Sequence, residues 1–132
     1  MIQLPSQVKV GPYLYQVHHR DEEWYDQTES HGQCHNSKQQ IDIYVTGNDR
    51  VDLDTLWHEI NHALWWMFNL EEKKDDEEKI VRTLSTGQLM VLVDNPQLQK
   101  LFREVVFHAH PKHEECAYLT YLLRHYLSFL IN

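Results

Sequence analysis

Near residue 50 the apolar side chains change from a spacing of two to a spacing of three and four. That change limits the chain to a sheet followed by helices. Upstream, Val8, Val10, Tyr13, Tyr15 and Val17 alternate on both sides of Gly11-Pro12, the pattern of a β-hairpin over 7–17. A polar stretch covers 18–31, in which His18-His19 and Asp21-Glu22-Glu23 read as a solvated loop. Gln33 to His35, the turn-like Asn36-Ser37-Lys38 and residues 40–45 predict a second hairpin, with Ile41, Ile43 and Val45 on one face of its last strand. Gly47-Asn48-Asp49 ends it. From 51 to 68, Leu53, Leu56, Ile60, Leu64 and Met67 recur at helical spacing, with Asn48, Asp49 or Asp52 available as N-cap. After the charged run 71–78, Ile80, Val81, Leu84, Val91 and Leu92 predict a helix that Asp94-Asn95-Pro96 must stop. A helix over 97–107 follows, and 114–131 reads as a last one. The expected fold is α+β: a small antiparallel N-terminal sheet packed on the first long helix, then a helical C-terminal half.

A chain of 132 residues is the size of one domain. It divides into a sheet region at 7–50, a pair of helices at 51–94 and C-terminal helices at 96–132. A net charge of −8 repels phosphate backbones and anionic lipid, so nucleic acid and membrane surfaces are not expected partners. The apolar stretch 117–131 is interrupted by Arg124 and His125 and falls short of the roughly 20 residues of a spanning helix. Residues 1–17 lack the basic and apolar regions of a secretory signal. Cys34 and Cys116 do not make the dense framework of a secreted scaffold. A cytoplasmic chain with reduced cysteines is expected. Ten histidines are a clear excess of the side chain most used for metal ligation and for proton transfer near neutral pH.

Two of them stand in His58-Glu59-Ile60-Asn61-His62, an HExxH within the first long helix. At about 100° per residue, His58 and His62 differ by about 40° around the axis, so both imidazoles leave one face and can share a tetrahedral zinc. Glu59, displaced by about 100°, does not easily join that coordination shell but can take a proton from a zinc-bound water. Zinc brings the pKa of that water to near 7, and the resulting hydroxide can attack a polarised peptide carbonyl. The stripe of Leu53, Leu56, Ile60, Leu64 and Met67 points almost opposite the histidines, leaving their face free to form a site. Trp65 and Trp66 lie near the same side, where core packing or screening of the site are both open to them.

A third ligand is needed. Trp65 and Phe68 stand where a metzincin would have Gly and His, so the candidates are His108, His110 or His113, or a glutamate opening the next helix, Glu77 or Glu78. Leu56-Trp57-His58-Glu59-Ile60-Asn61-His62-Ala63, Glu78-Lys79-Ile80-Val81-Arg82-Thr83-Leu84 and Val91-Leu92-Val93-Asp94-Asn95-Pro96 together resemble the small phage-encoded zinc peptidases related to the ImmA/IrrE-type gluzincins. The resemblance covers roughly residues 7–98. It implies a zincin-type active-site helix, Zn2+ as cofactor, a peptide or protein substrate and a host-cell cytoplasmic location. It carries the third ligand to Glu78, with the small Val81 and Ser85 letting that helix approach. Arg82 departs from the Asp or Asn that many gluzincins place four residues after the ligand, which moves the support of the histidines elsewhere, Asp54 being one candidate. The family's substrate edge would be 40–45, with Tyr44 helping to position the peptide. His35, His110, Tyr118 and Tyr126 are transition-state donors by chemical type alone.

The sequence therefore predicts a zinc peptidase with His58, His62 and Glu78 as ligands and Glu59 as general base. The alternative is a non-catalytic zinc-binding regulatory or interaction module of phage origin, in which metal stabilises the fold. The aromatic and leucine side chains of 112–132 are too numerous for one helix face. They either complete the core or form a subunit interface.

Overall fold

The structure, a computed structural model, describes residues 2–109 together with Arg124 and His125. Strand β1 (Gln7–Val10) and strand β2 (Tyr13–Arg20) form the first hairpin. Gly11 turns it with φ +58°, and a side chain there would run into Met67. Helix α1 (Glu22–Thr28) follows, then strand β3 (Gly32–His35), a single 3-10 turn at Asn36–Lys38 and strand β4 (Gln40–Tyr44). Helices α2 (Asp49–Met67), α3 (Glu77–Asp94) and α4 (Pro96–Ala109) complete the described chain. The fold is α+β, as the change of period requires.

The sheet is mixed, which corrects the expected antiparallel one. Its order is β1-β2-β4-β3, and β2 and β4 run parallel, Val17 beside Ile41 and His19 beside Ile43. Alternation is identical in parallel and antiparallel strands, so the sequence pattern does not separate the two. The chain returns from β2 through α1, a seven-residue helix in the stretch expected to be a loop. None of its residues is buried, so no apolar period marks it; the Asp21 side chain caps it by accepting from Trp24 N–H at 3.0 Å. A second consequence concerns the edge. Residues 40–44 lie between β2 and β3, and among the described residues the edge strands are β1 and β3, which corrects the expectation that 40–45 would be an edge.

Along one face of the sheet, Val8, Val10, Tyr15, Val17, Ile41 and Ile43 are buried. Helix α2 closes that face with Leu53, Leu56, Ile60, Ala63 and Leu64, and Val91, Leu98 and Leu101 of α3 and α4 join the same core. Asn48 caps α2 by accepting from Val51 N–H at 3.2 Å. The start of α2 is also held by Asp52, only 2% exposed. Its carboxylate accepts from Thr46 N–H at 2.9 Å, Thr46 Oγ1 at 2.6 Å and Gly47 N–H at 3.1 Å, tying the segment after β4 to the helix. At the other end, Asn95 accepts from Lys9 N–H at 2.9 Å and donates to Lys9 C=O at 2.8 Å. Its side chain thus pairs with β1 as a neighbouring strand would. Most of the predicted last helix, with His110, His113, Tyr118 and Tyr126, lies outside the described residues, as does the His108 side chain. No helix among the described residues is long and apolar enough to cross a membrane.

Removing the buried Asp52 carboxylate takes away all three hydrogen bonds that tie the segment after β4 to the start of α2. Asp52→Ala is expected to lower the free energy of unfolding by about 2–4 kcal/mol, read as a fall in the urea midpoint at an unchanged m-value. A loss under about 0.5 kcal/mol would show that the clamp is dispensable.

Candidate metal centre

His58 and His62 leave α2 on the side away from its core stripe. Their Nε2 atoms are 3.1 Å apart and the rings stand edge to face, with centroids 4.8 Å apart and planes at 75°. Two nitrogens each bound to a tetrahedral zinc at about 2.0–2.1 Å are separated by about 3.3 Å. The pair therefore fits one ion with little adjustment. Because both Nε2 atoms converge, a neutral pair can also meet through an N–H donated from one ring to the other.

Glu59 falls on the flank of α2 that meets the edge strand. It is 5% exposed, and β3 crosses directly above it: a Cβ on Gly32 would lie 2.8 Å from Glu59 Oε1 and 2.8 Å from Thr55 Cγ2. Glycine at 32 is what lets the strand come this close. Burial pushes the Glu59 carboxyl above its ordinary range, opposed by the nearby charges of His62, His58 and His35. Burial also pushes the neighbouring Cys34 thiol up to about 12, with the Glu59 charge adding to it. Cys34 is a free, neutral thiol and donates to Asn36 Oδ1 at 3.2 Å, an oxygen that also accepts from Tyr15 Oη at 2.9 Å.

Two cavities meet at the histidines. One lies toward the edge strand, between Gly32, Cys34 and His35 on one side and His58, Glu59 and His62 on the other. The second lies toward α3, where Asn61, Trp65, Glu72 and Leu84 surround the same two imidazoles. His35 is held from behind, its Nε2 3.0 Å from Oδ2 of Asp42. Asp42, 2% exposed, also accepts from Arg20 Nε at 2.7 Å and from Gln40 Nε2 at 3.1 Å.

The sequence-predicted residues are thus partly assembled. His58, Glu59 and His62 share one place, and His35 joins them. Glu78 sits in the first turn of α3 with its side chain 77% exposed, 3.3 Å from Arg82 Nη2, and Glu77 is exposed beside it. Glu72 is the acidic side chain that lines the α3-side cavity; it lies in the charged run 71–78, where no periodicity singles out one carboxylate. Among the described residues no group of three or more His, Cys, Asp or Glu is gathered closely enough to hold a metal. Asp54 is exposed, and no hydrogen bond joins it to His58 among the described residues. Trp66 packs on Tyr13 with ring centroids 5.2 Å apart, away from the site, whereas Trp65 lines it. Tyr44 stacks on Tyr25 at 4.8 Å. Gly32 carried no signal in the sequence, because its importance is its distance from a helix 27 residues downstream. Comparison with known protein families, with curated protein sequences and with solved structures finds no match.

A carboxyl whose folded pKa is raised binds a proton more tightly in the folded chain, so stability falls as the pH rises through that window. Metal-free Glu59→Gln is therefore expected to unfold at a higher urea midpoint than wild type at pH 7. The gap should close below about pH 4.5, the ordinary glutamate value, where the carboxyl is neutral folded and unfolded alike. Equal midpoints at pH 7 would show that the carboxylate is not held at a disadvantage.

Proposed function

We propose that this chain is a zinc-dependent peptidase. The observation that supports the reading is the convergence of the His58 and His62 Nε2 atoms at 3.1 Å with a buried carboxylate, Glu59, one residue along. A structural site would have no use for a buried carboxylate between its ligands and the sheet edge. His58 and His62 would hold the ion. The third donor is assigned to Glu78, whose present partner is an exposed ion pair with Arg82; such a pair contributes little and is readily exchanged.

When bound, zinc supplies Lewis acidity that makes a water acidic near pH 7 and polarises a peptide carbonyl. The residues of the chain do the rest. Glu59, made more basic by burial, would be the group that takes up a proton at its carboxylate and returns it to the leaving amine. The β3 backbone over Glu59 keeps bulk water from competing for its oxygens. The outer edge of β3, an edge strand among the described residues, would offer main-chain donors and acceptors to an extended peptide.

Elemental analysis of exhaustively dialysed protein is expected to give one zinc per chain, lost in His62→Ala and in Glu78→Ala and kept in Glu72→Ala and Glu77→Ala. Glu59→Gln should keep its zinc and cleave a mixed quenched-peptide library at least 10²-fold more slowly, about the contribution of a positioned general base. Zinc retained by all three glutamate variants would move the third donor elsewhere. Wild type that holds zinc yet cleaves no faster than Glu59→Gln would be a zinc-binding module rather than an enzyme.

A further inference from the structure

Strand β3 turns alternate residues toward α2. Gly32 and Cys34 lie opposite Ile43 and Ile41 of β4, both buried in the core, and Asn36, just past the end of the strand, keeps to the same side. Its Oδ1 accepts from Tyr15 Oη at 2.9 Å and from Cys34 Sγ at 3.2 Å. Burial pushes the phenol and the thiol each up to about 12, so both keep their protons and both lone pairs of the amide oxygen are filled. The backbone is fixed as well, since Gln39 N–H donates to Asn36 C=O at 3.2 Å.

The other end of the amide is unused. Asn36 Nδ2 has no acceptor among the described residues, yet no buried side-chain nitrogen or oxygen among them lacks a partner, so its N–H groups reach open space. The open space that Asn36 lines is the edge-strand cavity, whose far wall is His58, Glu59 and His62. Two other side chains on the near wall carry nitrogen. His35 has Nε2 3.0 Å from the Asp42 carboxylate, and a neutral ring that donates there has no proton on Nδ1. The Gln33 side chain makes no hydrogen bond among the described residues, so nothing fixes its direction. A donor held in place beforehand stabilises developing charge better than one that must be ordered during the reaction. Of the three, Asn36 is the donor that is held.

We propose that Asn36 is a catalytic residue of the peptidase, its Nδ2–H donating to the scissile carbonyl oxygen as negative charge builds up there. The proposal rests on the peptidase reading. When the water oxygen bonds to the carbonyl carbon, one water proton goes to Glu59 and the π pair of the C=O moves onto the carbonyl oxygen. The Asn36 N–H meets that charge with a stronger hydrogen bond than it makes to the neutral carbonyl, so it favours the transition state over the substrate. When the C–N bond breaks, the pair returns to the C=O and the proton on Glu59 goes to the leaving nitrogen. Tyr15 acts through Asn36 as a positioning residue, because its phenol holds the amide oxygen inward and so turns the nitrogen to the cavity.

Asn36→Asp keeps the acceptor that Tyr15 and Cys34 use and exchanges the donor for an oxygen, whereas Asn36→Ala removes both ends of the amide. On a quenched peptide cleaved by the zinc-loaded protein, both variants are expected to lower kcat by about 10²–10³-fold, the usual cost of one such donor. KM should stay within about threefold of wild type, and zinc content by elemental analysis should not change. A phosphinic peptide, tetrahedral and anionic at the position of the attacked carbon, gives a readout without turnover: its calorimetric affinity should fall by at least about tenfold in both variants. Tyr15→Phe, which keeps the ring and removes one of the two bonds to Asn36, should lower kcat about fivefold at unchanged KM, the net contribution of about one neutral hydrogen bond. A kcat retained by Asn36→Ala would overturn the proposal even if Asn36→Asp lost activity, since the added charge alone would explain that loss. Loss of zinc together with kcat in both variants, or an unchanged phosphinic affinity, would overturn it too. Wild type that cleaves no faster than Glu59→Gln would instead overturn the peptidase reading, and the role of Asn36 with it.

Discussion

Leu53, Leu56, Ile60, Ala63 and Leu64 of α2 share one core with Val8, Tyr15, Ile41 and Ile43 of the sheet. Burying each of the larger ones contributes about 1.5–3 kcal/mol, so the rotation of this helix about its axis is strongly determined. A shift by one residue, about 100°, would drive Glu59 or His58 into the apolar layer and lift Leu56 or Ile60 out of it. Through that constraint the core aims the site. With the apolar stripe turned to the sheet, His58 and His62 face outward and Glu59 is left at the seam with β3, where Gly32 makes room for it. The Asp52 clamp and the Asn48 cap hold the same helix at its start, and Gly11 receives its far end at Met67.

What the sequence made legible follows from this. The stripe and the histidine pair are both statements about a single helix, and a period of 3.6 relates residues on one helix without knowledge of anything else. The first hairpin, the turn at 36–38 and the stop at Asn95 were likewise local. Relations between elements were not. The parallel pairing of β2 with β4 and the edge position of β3 depend on where the chain goes after Arg20, and α1, with no residue buried, left no mark for periodicity to find. Trp65 and Trp66 are neighbours of one type, yet one lines the cavity at the histidines and the other lies on Tyr13. About 100° of helix rotation separates them, and only the placement of α3 and of the hairpin decides which is which. The charged run 71–78 is the extreme case, since no apolar pattern distinguishes Glu72, Glu77 and Glu78 from one another.

Burial of Glu59 carries a consequence for the enzyme reading. A carboxylate placed under a strand is destabilising when charged, and the nearby histidines only partly offset this. The same burial raises the affinity of Glu59 for a proton, which a general base requires. A divalent cation between His58 and His62 would add positive charge beside the carboxylate and favour its ionised form. The stability lost in the metal-free chain would then be recovered on loading, so that metal binding and folding are coupled through this one side chain as well as through the ligands. Helix α3 extends the coupling: it is fastened to α2 at Gly87 and Gln88, while its first turn carries Glu78 in solvent beside Arg82. A donor drawn from that turn would tie the placement of α3 to completion of the metal centre, so that loading the metal would steady both helices.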